Sequence, residues 1–362
     1  MKIVKPLLYF IFCNVFALSC NDGDYFLFEK TKDIKNFPLS ISVDDPDTLD
    51  IDVIGVQGIK LYDENIIVSC VDSSGCISIF DKFGNLVSEP FLNIGKGPGE
   101  LLFQPFMSWC HFDETQNGQL IMKLFDFKGQ FISYNLTETV NSGNFSWEVE
   151  KDSLSLLNGS RYFYGGPDRL ICRRSNMSDS GYERFIIGES NNERVNKQME
   201  YLNKFSSSEK NLLSTIFLYN EQRGMVAELG GRQNVIHLYS LEDSDNISLA
   251  LKGRSSISEL ERNSFNQTFK AYYDARGYDG FFAGLYLGSS LENLDAGLFA
   301  PSRIHVFDWD GNPLAEIALP IQALYFDIDI KNNKLYIVDY DTEKIIRYDI
   351  SCLSAILSEQ TD

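Results

Sequence analysis

The chain has 362 residues, with 51 Asp and Glu against 32 Lys and Arg, a formal net charge of −19. That balance argues against nucleic acid, which is held by clustered cations that displace counterions, and against a basic patch on anionic lipid. With 44% hydrophobic and 13% aromatic residues the chain can bury a large β core, and the cysteines beyond Cys13 and Cys20 (Cys70, Cys76, Cys110, Cys172 and Cys352) are odd in number, irregularly spaced and without a CxxC, which is no disulfide framework.

At the N-terminus, Lys2 and Lys5 precede an apolar run, Leu7–Leu18, too short to span a bilayer, and Ala17-Leu18-Ser19 lead into Cys20. Residues 1–19 therefore read as a secretory leader. They hold two lysines and no acid, so the balance after their removal is 30 basic against 51 acidic side chains. Ala-Leu-Ser-Cys resembles a bacterial lipobox, which implies a diacylated Cys20 and attachment to a membrane, each buried acyl methylene contributing about 0.8 kcal/mol. The acidic Asn21-Asp22-Gly23-Asp24 resembles the surface-export signal of Bacteroidetes lipoproteins, and residues 20–36 read as a lipidated tether.

From residue 37 onward a strand-rich unit repeats. Residues 65–87 (NIIVSCVDSSGCISIFDKFGNLV), 303–315 (RIHVFDWDGNPLA) and 334–349 (KLYIVDYDTEKIIRYD) share strands that end in Asp and turn on Gly-Asn or a polar pair. Asp81-Lys82-Phe83-Gly84-Asn85 and Asp308-Trp309-Asp310-Gly311-Asn312 are nearly the same turn, with glycine supplying positive φ. Weaker copies at 118–135, 168–187 and 224–241 bring the count to six units, starting near residues 53, 105, 158, 212, 277 and 321. Six antiparallel units without long alternating helices predict an all-β, six-bladed β-propeller over 37–352, ahead of a large sandwich or two barrels. Residues 191–215 and 256–275 read as helical insertions, the second opened by a Ser256-to-Glu259 capping box. The last unit runs out after three strands, so an N-terminal segment, 37–43 or 50–56, is expected to supply the missing outer strand and close the ring. Residues 353–362 are expected to form a C-terminal tail.

Between the first two units stands Gly95-Lys96-Gly97-Pro98-Gly99-Glu100, with Phe103 and Pro105 after it. The lysine precedes the last glycines, no hydroxyl follows it, and a strand rather than a helix comes next, so this is no phosphate-binding loop. The motif resembles the G-[RK]-GPGE-F signature of the six-bladed, TolB-like propeller lipoproteins of Bacteroidetes, related to NHL-repeat propellers. The resemblance implies a propeller in the cell envelope, an outer-membrane lipoprotein facing the periplasm or the cell surface. It implies no reaction.

Candidate ligand-binding residues follow from where the loops fall. Lys96 and Glu100 cross from one blade to the next, either lining a binding surface or pairing to stabilise the turn. Arg173, Arg232 and Asn234 sit in loops between second and third strands, on the same face, and suit an anionic or sugar-like ligand. His111, His237 and His305 lie in strands of different units and read as packed or exposed strand residues, and no metal, cofactor or catalytic residue is assigned. Asp72, Asp339 and Asp341 read as turn carboxylates that accept from backbone N–H groups. The expected function is a binding module for a glycan, peptide or envelope-protein partner, non-enzymatic, with no nucleic acid. The alternatives are a metal-dependent hydrolase or lactonase-like enzyme with its site in the central channel, and a scaffold in an envelope complex.

Overall fold

The computed structural model describes residues 24–359, apart from 73, 144–145, 177–180, 209–210, 264–266, 268, 291, 294–295 and 297–299. Cys20 and the leader lie outside the described residues. The chain forms six antiparallel blades around a central axis, each with its first strand innermost. Blade 1 comprises Ile54–Tyr62, Asn65–Val71, Ile77–Asp81 and Leu86–Phe91. Blade 2 comprises His111–Glu114, Leu120–Phe125, Phe131–Asn135 and Trp147–Lys151. Blade 3 comprises Arg161–Tyr164, Leu170–Ser175, Tyr182–Ile187 and Glu193–Arg194. Blade 4 comprises Thr215–Asn220, Met225–Gly230, Val235–Ser240 and Asn246–Leu251. Blade 5 comprises Phe269–Gly277, Phe281–Ser290, Arg303–Asp308 and Pro313–Ala318. Blade 6 comprises Ala323–Asp329, Lys334–Asp339 and Ile345–Asp349. Middle strands such as Val235–Ser240 are buried along their whole length, because both faces are covered by neighbouring blades.

The N-terminal segment closes the ring, but not with the residues expected. Asp47–Thr48 pairs antiparallel with Ile345–Asp349 and completes blade 6. Residues 37–43 instead place Leu39–Ser42 parallel to the outer strand of blade 5, and 50–56 run into the inner strand of blade 1. Thr31–Ile34 lies parallel to the outer strand of blade 4. The segment thus caps three consecutive edges, which removes the unpaired backbone groups of each. Residues 24–36, expected in the tether, are packed on the ring. Phe26 and Phe28 are buried between blades 3 and 4, edge-on to the His237 ring.

Two further expectations change. Among the described residues of those two stretches, helix occupies only Lys197–Leu202 and Ile257–Arg262, the second with the expected reciprocal Ser256–Glu259 capping box. Residues 269–275 belong to the inner strand of blade 5, which therefore starts at 269 rather than 277. Register shifts at Lys270/Tyr272 and Tyr272/Asp274 break the two-residue alternation there and make the strand look helical in sequence. The expected tail contains the helix Ser354–Glu359, and Leu353 and Leu357 are buried in the core shared by blades 5 and 6.

The repeated Asp turns form as the sequence implies. Asp81 Oδ1 accepts from the Phe83 and Asn85 N–H groups, each at 2.9 Å, and Asp308 Oδ1 from those of Asp310 and Asn312 at 3.0 and 2.7 Å. Asp126 builds the same turn with Lys128 and Gln130, although it joins second to third strand instead of third to fourth. Asp72 Oδ1 likewise accepts from Ser74 N–H at 2.7 Å. Cys70 and Cys76 face each other through backbone N–H to carbonyl pairing and remain buried thiols.

Between blades 3 and 4 a buried ion pair anchors the packing. Arg184 Nε and Nη2 donate to the two Glu228 oxygens at 2.8 and 2.9 Å, and Thr215 and Tyr239 hydroxyls donate to the same carboxylate. Burial pushes Glu228 up, but the charge and hydrogen bonds of Arg184 outweigh it and hold the carboxyl well below its usual range. Truncating one partner leaves the other charged and buried, so Arg184→Met is expected to cost about 3–5 kcal/mol, read from urea unfolding. Burial lowers His237 from 6.5 to about 3. The unfolded chain therefore takes up this proton first, and stability falls as pH drops from about 6.5 toward 3. In paired urea titrations at pH 7 and pH 5, His237→Asn is expected to lose less stability between the two than the parent. Equal losses would show that His237 does not set this pH dependence.

Candidate functional site

The inner strands are unequal, and this shapes the channel. Blades 1 and 5 have nine-residue inner strands, whereas blades 2 and 3 have four-residue ones. The space left is filled by a single 3-10 turn, Met107–Trp109, that leads into blade 2 and touches the inner strands of blades 1, 4 and 5. Met107 is buried and sits directly against Gly58, where a Cβ would meet Met107 Cβ at 2.7 Å. The turn plugs the channel, leaving two separate mouths.

The Gly95–Glu100 crossover is what delivers the chain to this plug. Glu100 Oε2 accepts from Gly97 N–H at 2.6 Å, and Lys128 Nζ donates to the carbonyls of Gly97 and Glu100 at 2.8 and 2.7 Å. Gly99 has φ +72° with the Trp147 indole pressed on its Cα side, a place no side chain could share. Gln104 then donates to Gly55 O and Ser69 to Pro105 O. The turn-stabilising partner of Glu100 is thus its own loop, and the lysine that braces the loop is Lys128. Lys96 is exposed, with no carboxylate within 4 Å among the described residues.

The C-terminal ends of the inner strands open into a funnel of about 620 Å³. Its wall combines aromatic rings (Phe112, Tyr164, Tyr219, Tyr278) with Lys60, His111, Asp113, Glu114, Glu221 and Asp279. His111 and Asp113 are two apart on one strand, so both side chains leave on the same face, and His111 Nε2 lies 2.5 Å from Asp113 Oδ1. Lys123 Nζ reaches the other oxygen at 2.9 Å. Burial raises the Asp113 pKa, but His111 and Lys123 more than reverse this and bring it to about 2. The His111 ring stacks on Tyr164 at 3.8 Å, and the Tyr164 hydroxyl donates to Glu221 Oε2 at 3.0 Å. His111, Asp113 and Glu221 offer three ligand atoms within 4.8 Å of one another. His111, expected as a packed or exposed strand residue, is half-buried in this wall, while His237 and His305 are packed in the core. Sequence spacing could join His111 to Asp113. Glu221 comes from blade 4, and only ring closure brings it there.

The residues singled out in sequence gather on the opposite, crossover face. Arg173, expected in a loop, lies instead within the second strand of blade 3, where it is buried and donates to the Thr215 carbonyl and, at 2.8 Å, to its hydroxyl. Arg232 and Asn234 are buried in the loop joining second and third strands of blade 4, and Asn234 donates to Lys252 O at 3.0 Å. Lys96 and Glu100 lie on that face too, in the crossover between blades 1 and 2.

No family model and no curated protein matches the chain. Among solved structures, it is similar to a member of the DUF4221 family from Bacteroides vulgatus, at 9% identity and TM-score 0.53, over 85% of this chain and 96% of that one. It is also similar to the calcium-binding protein regucalcin from Agrobacterium tumefaciens, at 7% identity and TM-score 0.46, over 86% and 95% of the two chains. The first likeness shows the fold, a six-bladed propeller.

Because Gly58 has φ +139° and seats the plug, Gly58→Ala combines backbone strain with overpacking. A loss of about 1–3 kcal/mol is expected in chemical denaturation, and a loss below about 0.5 kcal/mol would mean that the plug is not held there.

Proposed function

We propose that the chain is a cell-envelope lipoprotein, anchored through Cys20, whose propeller binds a small polar ligand or a partner segment in the funnel. The observation that carries the binding reading is the funnel itself, a polar and aromatic cavity of about 620 Å³ walled by blades 1 to 5. Aromatic faces beside charged groups suit a glycan or a polar peptide. Anchorage rests on the leader, on Ala-Leu-Ser-Cys and on the GKGPGE signature, which support an outer-membrane location facing the periplasm or the cell surface. Asp24 accepts hydrogen bonds from Ser258 in the crossover after blade 4. Four residues from Cys20 to Asp24 reach at most about 14 Å. An acylated Cys20 would hold the crossover face near the bilayer, and the funnel would open away from it.

A second reading, a metal-dependent hydrolase or lactonase-like enzyme, is favoured by one observation, the convergence of His111, Asp113 and Glu221. Imidazole with two carboxylates suits a divalent ion such as zinc or manganese. In this reading Tyr164 orients Glu221, and Lys123 competes with the ion for Asp113.

Two experiments test these readings. Metabolic palmitate labelling is expected to be lost in Cys20→Ser, and retained labelling refutes the anchor. A glycan and peptide array is expected to give binding that falls at least tenfold in Tyr164→Ala and Asp113→Asn. Binding unchanged in both moves the ligand elsewhere. Titration with zinc, manganese and calcium, repeated on Glu221→Gln, separates the enzyme reading: no heat with any ion sinks it.

A further inference from the structure

On the crossover side of the plug, four cations collect in an otherwise acidic protein. Arg161 and Arg173 face each other as a directly opposed pair across the first two strands of blade 3. Lys270 stands near the start of the inner strand of blade 5, and Arg232 on the loop of blade 4 beside it. Two backbone hydrogen bonds draw these segments together, Gly231 N–H to Ser214 O at 2.9 Å and Ala271 N–H to Gly231 O at 3.0 Å. They set Arg232 beside Lys270, and both beside Thr215, which receives Arg173. Tyr182 lies among the arginines, its ring 5.0 Å from the Arg173 guanidinium.

The supports of Arg161 and Arg173 are neutral. The Arg161 guanidinium stacks at 4.3 Å on Trp109 of the plug, and Arg173 is held by Thr215. Among the described residues, Arg161, Arg173 and Lys270 have no carboxylate within 4 Å, unlike Arg184 and Arg276, the buried arginines that carry ion pairs. Burial pushes Arg173 down to about 10 and lowers Arg161 and Lys270 as well, the direction expected of charges that lack a counterion. Thr215 is already committed, accepting from Arg173 and donating to Glu228, so Arg173 is fixed in place by the buried Arg184–Glu228 pair. Preorganised guanidinium forks of this kind match the geometry of an oxyanion.

We infer that the crossover side of the plug carries an oxyanion site, in which Arg161, Arg173, Arg232 and Lys270 receive a phosphate-like group. The inference stands on the cation cluster alone and does not depend on what the funnel binds. Free phosphate and the phosphate of an anionic lipid headgroup present the same chemistry to it.

The test uses full-length protein carrying Cys20→Ser, so that no acyl chain contributes. Inorganic phosphate is titrated calorimetrically, and flotation is measured with phosphatidylcholine vesicles with and without phosphatidylglycerol. Phosphate is expected to bind, with affinity at least tenfold weaker in Arg161→Gln and in Lys270→Gln, two half-exposed positions whose replacement leaves the buried pair intact. Flotation specific to phosphatidylglycerol and lost in the same variants would identify the headgroup as source. Flotation absent with phosphate bound would identify the free anion. The inference is overturned if neither phosphate nor phosphatidylglycerol binds, or if binding is the same in both variants while their circular dichroism matches the parent.

Discussion

A ring of sheets has one joint that the chain cannot make by running forward, the seam where blade 6 meets blade 1. Everything else depends on its closing. Inside the ring, Asp327 accepts from Leu61 N–H at 2.7 Å and from the Tyr278 hydroxyl at 2.7 Å, while Arg276, paired with Asp274, donates to Ile59 O at 3.0 Å. Glu343 adds an acceptor for Gly55 N–H at 2.6 Å. Outside, Asp47–Thr48 completes blade 6 before the chain enters blade 1. The bonds that reach blade 1 across the seam, to Leu61, Ile59 and Gly55, each span more than 200 residues. Satisfying buried backbone groups and charges at once makes the seam specific as well as closed.

Closure also produces the functional geometry. Short inner strands in blades 2 and 3 leave a gap that Met107–Trp109 fills, and the plug turns one channel into two unlike mouths. The funnel is wide, aromatic and mostly acidic. The crossover end carries Arg161, Arg173, Arg232 and Lys270. A net charge of −19 says nothing of this division, because Arg161, Arg173, Arg232 and Lys270 come together only where segments of separate blades converge. Arg173 takes part in both fold and surface: through Thr215 it is coupled to Glu228 and Arg184, so a group at the mouth rests on the most heavily hydrogen-bonded ion pair of the core.

Local chemistry was legible wherever a few adjacent residues decide the outcome. The Asp81 and Asp308 turns and the Ser256 cap formed as their residues imply. The Asp126 turn shows the limit of that reading, since the same five-residue pattern joins a different pair of strands in blade 2. Turn chemistry specifies a reversal of the chain but not which strands it connects. The inner strand of blade 5 was misread as helix because its bulges destroy the alternation that marks a strand. The closing strand was misplaced by a few residues because Asp47 and Thr48 carry no strand signal, and their pairing is imposed by the free edge they meet. GKGPGE was recognised as a corner. That this corner carries the channel plug was not, since the plug is defined by contacts with blades 1, 4 and 5.

By itself the sequence determined an all-β ring of six repeated units, because hydrophobic strands punctuated by Asp and Gly turns leave little else to build. It also placed Lys96, Glu100, Arg232 and Asn234 on one face, because alternate loops of a blade emerge on alternate faces, whereas Arg173 belongs to a strand. Only the tertiary structure decided that the funnel lined by His111, Asp113 and Glu221 lies on the other face. It alone brought Glu221 to His111 and Asp113, and Lys270 and Arg232 toward Arg161 and Arg173. These groupings join residues of different blades, and the distance between blades is set by packing and ring closure, which no short stretch of the chain encodes.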